Sequence, residues 1–486
     1  EKTFTWVKII LYMQKLTGLL RSERKRITDL MYLLRRLKLK RFCFQETKKV
    51  QAFICLNFFF HLKQIHFVFL HLYYRHMKII YNFLIFITSL LLPVIALFNK
   101  KIKLLVAGRT ATFSKIELLK NKKTIWIHAA SLGEFEQARP IVEEIKEKYP
   151  EHALLVTFFS PSGYQIRKDY QLATVVCYLP LDTKANARKF IAAINPTLAI
   201  FIKYEFWPNL LNELKRVEVP TILVSGILRE KQLFFQWYGG FMRESLKAFH
   251  HFFVQDENSK ELLNSINFEN VTISGDTRFD RVSKILQQDN TIDFIDEFKN
   301  NQYTIVAGST WPEDEALLVH YINNDALENE KFIIAPHNMK EAAILELQQL
   351  IHKKTVLYSE KGNENLKECA VFIIDTVGIL TKIYAAADVA YVGGGLKTGL
   401  HNILEPATFG IPVVIGNTYH KFKEAIDLVE IGGCISIKNQ EEFTKNLLHL
   451  KNDEGIRKRT GNSNKKYIED NLGATAFIMK YLKEVL

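Results

Sequence analysis

The sequence predicts an α/β fold of two Rossmann-like halves, preceded by one apolar helix. Three observations carry this. Short strand-like runs alternate with helical ones from Thr124 to about Arg281, and the alternation restarts at Tyr303. That rhythm builds a parallel sheet covered by helices on both faces. A polar stretch rich in Asn, Asp and Gln, from Arg281 to Gln302, separates the halves and reads as a linker. Upstream, residues 79–98 form a run of 20 without a charge, about the length a helix needs to cross hydrocarbon.

A chain of 486 residues is too long for one ordinary core. The expected organisation is a basic extension over 1–76, a membrane anchor and post-anchor segment over 77–110, one domain over 111–285 and a second over 300–486. The net charge of +13 is concentrated at the start: residues 1–76 hold 16 Lys/Arg against 4 Asp/Glu, and residues 77–486 hold 49 against 48. The nearly neutral body excludes nucleic acid as the partner. Five scattered cysteines (Cys43, Cys55, Cys177, Cys369, Cys434) form no CxxC pair. They fit a reducing compartment and neither a disulfide framework nor a zinc site.

The apolar run follows Lys78 and precedes Lys100, Lys101 and Lys103. Both flanks are basic, so they orient it poorly, and Pro93 kinks it. It is expected to be a membrane anchor rather than a buried core helix. The segment before it begins with Glu1 and carries His61, His66, His71 and His76 at a spacing of five. Such histidines do not share one helix face and make a poor metal site. Met77 directly precedes the apolar run, and 1–76 is expected to be a non-native extension, with a functional basic amphipathic segment as the alternative.

In the first half, "TIWIH" precedes a helix over Glu134–Tyr149, and "ALLVTFF" precedes "SGYQIRKDY". "TVVCYL" precedes a helix over Thr183–Ile194, "TLAIFI" precedes "WPNLLNELKR", and "PTILVSG" follows. In the second half, "YTIVAG", "KFIIAP", "AVFIID", "DVAYVGGG" and "PVVIG" are the strands. Helices are expected after Pro312 and over Lys340–Ile351, Val377–Ala387, Ile403–Phe409 and Phe422–Val429. Two such halves hold ligands in the cleft between them, at the carboxyl ends of the strands.

Several motifs fall at those ends. In "HAASLGEFEQARP" a small-residue turn leads into a helix opened by Glu134. Glu134 is either a partner of the helix dipole or a general base. "IKYEFWPN" sets Lys203 and Glu205 at a strand end, and "SGDTRFD" offers Arg278 to a phosphate or to Asp280. "APHNMK" turns His337 and Asn338 toward the same cleft. "VGGGLKTGLHNILEP" is a glycine-rich turn from strand to helix, suited to a close approach of backbone to phosphate or to simple packing. It is not a Walker A, and Thr398 breaks GxGxxG. Asn402 and Glu405, three apart, are neighbours on a helix, either for ribose hydroxyls or for capping. No Ser-His-Asp ordering and no HExxH is present.

Taken in order, "HAASLGE", "TFFSPSG", "YLPLD", "EFWPNLL", "SGDTRFD", "DVAYVGGG" and "HNILEPATFGIPVVIG" resemble the Kdo (3-deoxy-D-manno-oct-2-ulosonic acid) transferases of Gram-negative bacteria. "AGRTATF" matches that family's post-anchor segment, and the resemblance runs from about Met77 to the C-terminus. It implies a GT-B fold, an N-domain anchored in the inner membrane that binds the lipid A precursor, and a C-domain that binds CMP-Kdo, both on the cytoplasmic face. It implies no cofactor.

By the same resemblance Glu134 falls on the proton acceptor and Arg278 on the basic residue that steadies the transition state. Pro336 and His337 fall in a CMP-contacting segment where relatives more often carry Pro-Arg. Val377, Gly378 and Ile379 fall in the next, often Met-Gly-Glu, so Ile379 replaces an acid. Asn402, Ile403, Leu404 and Glu405 match the third. Relatives often read Glu-Thr-Glu-Leu-Trp-Pro, and here Lys203 and Tyr204 replace the first two residues, so Lys203 stands where the family places an acid with a transition-state role.

The implied reaction is attack of a lipid A hydroxyl on the anomeric carbon of Kdo, with CMP leaving. One carboxylate on the face opposite the leaving group suits inversion, and the lack of an acidic cluster predicts metal independence. The rival readings are a GT-B enzyme with another sugar nucleotide and a membrane-tethered two-lobed binding protein without catalysis.

Overall fold

The computed structural model describes residues 76–486. The expectations for the basic extension, including its His61, His66 and His71, lie outside the described residues. The apolar helix runs His76–Ala96 and is continuous through Pro93. Its apolar side chains stay largely exposed, Phe83, Phe86, Leu90 and Leu91 among them. A turn at Leu97–Asn99 leads to the helix Lys100–Thr110, whose first N–H groups are capped by the Asn99 side chain.

The first sheet has seven strands: β1 (Thr124–His128), β2 (Ala153–Phe158), β3 (Val175–Tyr178), β4 (Pro196–Ile202), β5 (Thr221–Gly226), β6 (His251–Val254) and β7 (Val271–Ile273). Their order is β3-β2-β1-β4-β5-β6-β7, with every pairing parallel. The strand order reverses between β1 and β4, where His128 pairs with Phe201. Ligands of such sheets bind outside the carboxyl ends of the strands at this switch.

Trp126, Leu155, Cys177 and Phe201 point into one apolar layer, and Ile125, Ile127, Leu154 and Val156 into the other. Burial on both faces explains why the strands read as continuous apolar runs and not as alternating ones.

The second sheet repeats the plan with β8 (Tyr303–Thr310), β9 (Glu330–Pro336), β10 (Thr355–Leu357), β11 (Val371–Ile373), β12 (Val389–Val392), β13 (Val413–Gly416) and β14 (Cys434–Ile437). The order is β10-β11-β9-β8-β12-β13-β14, again parallel, with its switch between β8 and β12.

Three features depart from the sequence reading. The polar stretch from Arg281 is not a bare linker. It carries the helix Asp293–Lys299, whose Ile295 and Phe298 are buried in the second core, with the Phe298 ring 5.3 Å from Phe372. The expected helix over Val377–Ala387 shrinks to Leu380–Ile383 and a short 3₁₀ turn, because Gly378 takes a φ of +98° that ends any helical run there. In place of a second domain running to residue 486, the helix Ala474–Val485 crosses back. Its Ile478, Met479 and Leu482 complete the core on one face of the first sheet.

Candidate active site

At the switch point of the first sheet, β1 ends at His128 and the chain turns through Ala129–Ser131 into the helix Leu132–Lys148. Ser131 and Glu134 form a reciprocal capping box. The Ser131 N–H donates to Glu134 Oε2 at 3.1 Å, and the Glu134 N–H donates to Ser131 Oγ at 3.4 Å. Capping fixes the carboxylate at the helix mouth, and the same position buries it to 6% exposure. Burial and the neighbouring Glu205 push its pKa up to about 8, against the opposing pull of Lys203 and the N–H groups of Ala130 and Ser131. Glu134 therefore caps the helix and is buried there with a raised pKa.

Beside it β4 ends at Ile202, and Lys203 takes a left-handed φ of +68° that throws the following residues across the strand end. Glu205 Oε2 accepts from the Trp207 indole at 3.0 Å and lies 3.6 Å from Nε2 of the buried His128. Burial lowers the Lys203 pKa, and so does Arg278, while Asp276, Glu134 and Glu424 raise it. Lys203 thus stands within electrostatic reach of both Glu134 and Arg278.

Arg278 sits in the first turn of the helix Thr277–Ser283, after β7. It does not pair with Asp280. Its Nε donates to Asp276 Oδ2 at 2.9 Å, and its Nη1 to Glu424 Oε1 at 2.7 Å. Residues two apart on a helix face away from each other. Asp280 accordingly turns elsewhere and accepts from the N–H groups of Gly473 and Thr475, both at 2.6 Å. Burial works against the Arg278 charge, but Asp276 and Glu424 outweigh it and raise its pKa, so the guanidinium stays charged. Glu424 belongs to the helix Lys423–Glu430, after β13, so both sheets contribute to this cluster. A second link is Arg281, which holds Glu136 at 2.7 Å and lies 3.6 Å from Glu405.

On the second sheet, Pro336 ends β9 and the His337 N–H donates to the Thr310 carbonyl at 2.8 Å. The His337 ring stacks on Trp311 at 4.5 Å and lies 4.6 Å from His401, and the Trp311 indole donates to His401 Nε2 at 3.0 Å. Burial lowers the pKa of His337, and burial with His337 nearby lowers that of His401 to about 4. A histidine shifted down by burial is a poorer source of positive charge than the arginine that relatives more often carry there.

Val377 is exposed, and Gly378 turns the chain before Ile379. Thr381 then donates to Glu405 Oε2 at 2.6 Å, which ties this loop to the Asn402–Glu405 segment. Asn402 Nδ2 donates to Glu405 Oε1 at 3.0 Å, and Asn402 Oδ1 accepts from the Leu404 N–H at 3.2 Å, so the pair caps the turn into the helix. The Ile403 and Leu404 side chains are buried in the core, which leaves only their backbone for a ligand.

The glycine run serves packing. A Cβ on Gly393 would collide with the Ser309 carbonyl, and one on Gly395 would lie 2.8 Å from the Gly416 nitrogen. The Gly394 N–H is already taken by Asp314 at 2.8 Å.

Sequence reasoning left Asp276, Glu424, Trp311 and Arg281 out of the site. The order "GDTR" carried a usable signal for Asp276, an N-cap residue two before the arginine. No local signal marks Glu424, which is 146 residues from Arg278.

The sequence profile of the family described as 3-Deoxy-D-manno-octulosonic-acid transferase (kdotransferase) matches residues 106–281. The chain is 30% identical to the 3-deoxy-D-manno-octulosonic acid transferase of Aquifex aeolicus, over 69% of this chain and 88% of that protein. It is 29% identical to the transferase of the same name from Haemophilus influenzae, over 74% and 87%. Among solved structures, UDP-GlcNAc 2-epimerase from Neisseria meningitidis bound to UDP-GlcNAc superposes with a TM-score of 0.54 at 14% identity, covering 74% of this chain and 100% of that one. That likeness concerns the fold, the GT-B pairing of two Rossmann-like domains. By its two-sheet fold and these relatives, the chain belongs to the 3-deoxy-D-manno-octulosonic acid transferase family and is a glycosyltransferase.

Proposed function

We propose that the enzyme transfers Kdo from CMP-Kdo to a lipid A precursor, with inversion and without a metal ion, at a membrane bound through the apolar helix. The observation that carries this reading is the buried Glu134 carboxyl beside Lys203 at the β1–β4 switch point. A sugar hydroxyl is a poor nucleophile, and a carboxylate that takes its proton as the bond forms is worth about 10²–10⁴-fold. Glu134 is the proposed base. CMP leaves with charge growing on its phosphate, and Lys203 and Arg278 are the cations within reach of the cluster.

Arg278 is held by Asp276 and Glu424, and Glu424, from the other sheet, is the partner that domain motion would release to free the guanidinium charge for a phosphate. CMP is proposed to lie against Pro336 and His337, the backbone of Val377–Ile379 and the Asn402–Glu405 segment. Inversion follows if Glu134 takes the proton on the face opposite the leaving group. Lys203 and Arg278 in the cluster support metal-free neutralisation of the phosphate. The apolar helix supports attachment to the inner membrane, and the resemblance to the family is the ground for placing the catalytic domains on its cytoplasmic face.

The test is Glu134→Gln, which keeps an oxygen for the Ser131 N–H but accepts no proton at neutral pH. Mass spectrometry of the lipid A precursor incubated with CMP-Kdo should then find transfer lowered by about two orders of magnitude or more, with CMP still bound. Transfer near the wild-type rate would return Glu134 to a capping role alone. Screening CMP-Kdo against UDP- and ADP-sugars separates this donor from the others a GT-B fold accepts.

A further inference from the structure

The apolar helix begins and its continuation ends on the same edge of the first domain. In its first turns the Tyr81 hydroxyl donates to Asp182 Oδ2 at 2.6 Å, and Asn82 Oδ1 accepts from Asn209 Nδ2 at 3.0 Å. The Tyr81 ring lies 5.4 Å from that of Phe241. After the turn at Leu97–Asn99, the helix Lys100–Thr110 returns. Arg109 Nε donates to the Leu179 carbonyl at 3.1 Å, and Thr112 Oγ1 to the Tyr178 carbonyl at 2.9 Å. Asp182 and Leu179 belong to one loop after β3, so both legs of this hairpin are fastened to one place.

Tyr81 and Asn82, bonded to the domain, keep the start of the first leg on the catalytic side, where a spanning helix that enters the domain from its C-terminal end would not leave it. Reach then places the turn. From Asn99 to Arg109 the helix rises about 15 Å, and the hydrocarbon layer is about 30 Å thick. With Arg109 bonded to the domain, the turn cannot lie on the far side of a bilayer. It would also carry Lys100, Lys101 and Lys103 across the layer. Yet Leu97 and Phe98 at the turn are 78% and 87% exposed, continuous with Phe83, Phe86 and Leu90 along the first leg. An exposed apolar surface of this kind, with lysines beside it, fits lipid: the apolar residues enter the acyl region and the lysines reach anionic headgroups.

We infer that residues 76–110 form a helical hairpin that lies in the single leaflet facing the catalytic domains and does not span the bilayer. The inference rests on the reading of this segment as the membrane attachment. It also sets the membrane surface against the site. Arg109 lies over the Phe159 ring at 4.8 Å, and Phe159 stacks on Trp207 at 5.0 Å, in the loop that carries Lys203 and Glu205. A lipid-borne sugar at that surface is therefore presented next to Glu134.

The test uses the full chain with Cys43→Ser, Cys55→Ser and Lys78→Cys, expressed in a Gram-negative host. The other three cysteines are buried. A maleimide that crosses the outer but not the inner membrane should leave residue 78 unlabelled in intact cells and label it once detergent dissolves the membranes. Labelling in intact cells would mean that residue 78 reaches the far side, and would overturn the hairpin. A protein that fails to sediment with membranes in high salt would remove the membrane reading itself, and the hairpin inference with it.

Discussion

Glu134 is held where its ionisation is costly, and two consequences follow at the scale of that residue. With its pKa near 8, the carboxyl carries its proton through much of the neutral range. If it is the base, kcat/KM for transfer should climb with pH and level off above about 8, because this ratio reports ionisation in the free enzyme. A profile flat from pH 6 to 9 would count against it. Stability should move the other way. A carboxyl whose folded pKa is raised stabilises the fold fully below its ordinary value near 4.5, and that contribution is lost as pH rises through about 8. Glu134→Gln cannot ionise, so its Tm should match wild type near pH 4 and exceed it at pH 9.

Arg278 makes a separate case. Glu424→Gln removes one of the two charges that occupy the guanidinium but keeps an acceptor for it. The variant should bind CMP-Kdo more tightly, read as a several-fold lower donor KM. Arg278→Ala should lower kcat by an order of magnitude or more and also lower Tm, since it leaves Asp276 and Glu424 without their cation. An unchanged donor KM in Glu424→Gln would remove Arg278 from phosphate binding.

At the scale of elements, the short helix Thr277–Ser283 is where the two halves are pinned. Asp276 caps it, Thr277 Oγ1 donates to the Gln137 carbonyl at 2.6 Å, and Asp280 caps the helix Ala474–Val485. Asp280→Ala removes two charge-assisted bonds from that cap, so hydrogen exchange over residues 474–485 should speed up well before global unfolding. Exchange no faster than wild type there would mean that apolar packing alone holds the helix.

Local pattern made much of this architecture legible. Long apolar runs such as "TIWIH", "TLAIFI" and "KFIIAP" announced central strands because both sheet faces are buried. The three-residue strands β10 and β11 carry too few side chains to set a pattern of their own, and β11 was read only because apolar neighbours extend it. The helix Asp293–Lys299 was hidden because Ile295 and Phe298 stand among acids and amides. The site divides similarly. Glu134, Lys203 and Arg278 follow apolar runs and were visible as strand-end residues. Glu424 and the return of the last helix depend on the long-range closure of the chain, which no local window contains.

On the scale of the whole molecule, the charge has a simple layout: the excess of basic residues falls before Met77, and the two-sheet body is balanced. The body is also interlocked. The chain leaves the first half after Ser283, builds the second sheet and comes back at Ala474, and Asp280 bonds the outgoing segment to the returning one. The first half therefore depends on a helix made last. While residues 284–473 emerge from the ribosome, at about 5–20 residues per second and so for on the order of 10–40 s, its sheet lacks the side chains of Ile478, Met479 and Leu482 on one face. An apolar patch on that face stays open to solvent for that interval, so during biosynthesis the N-terminal half is exposed to aggregation until the second half is complete.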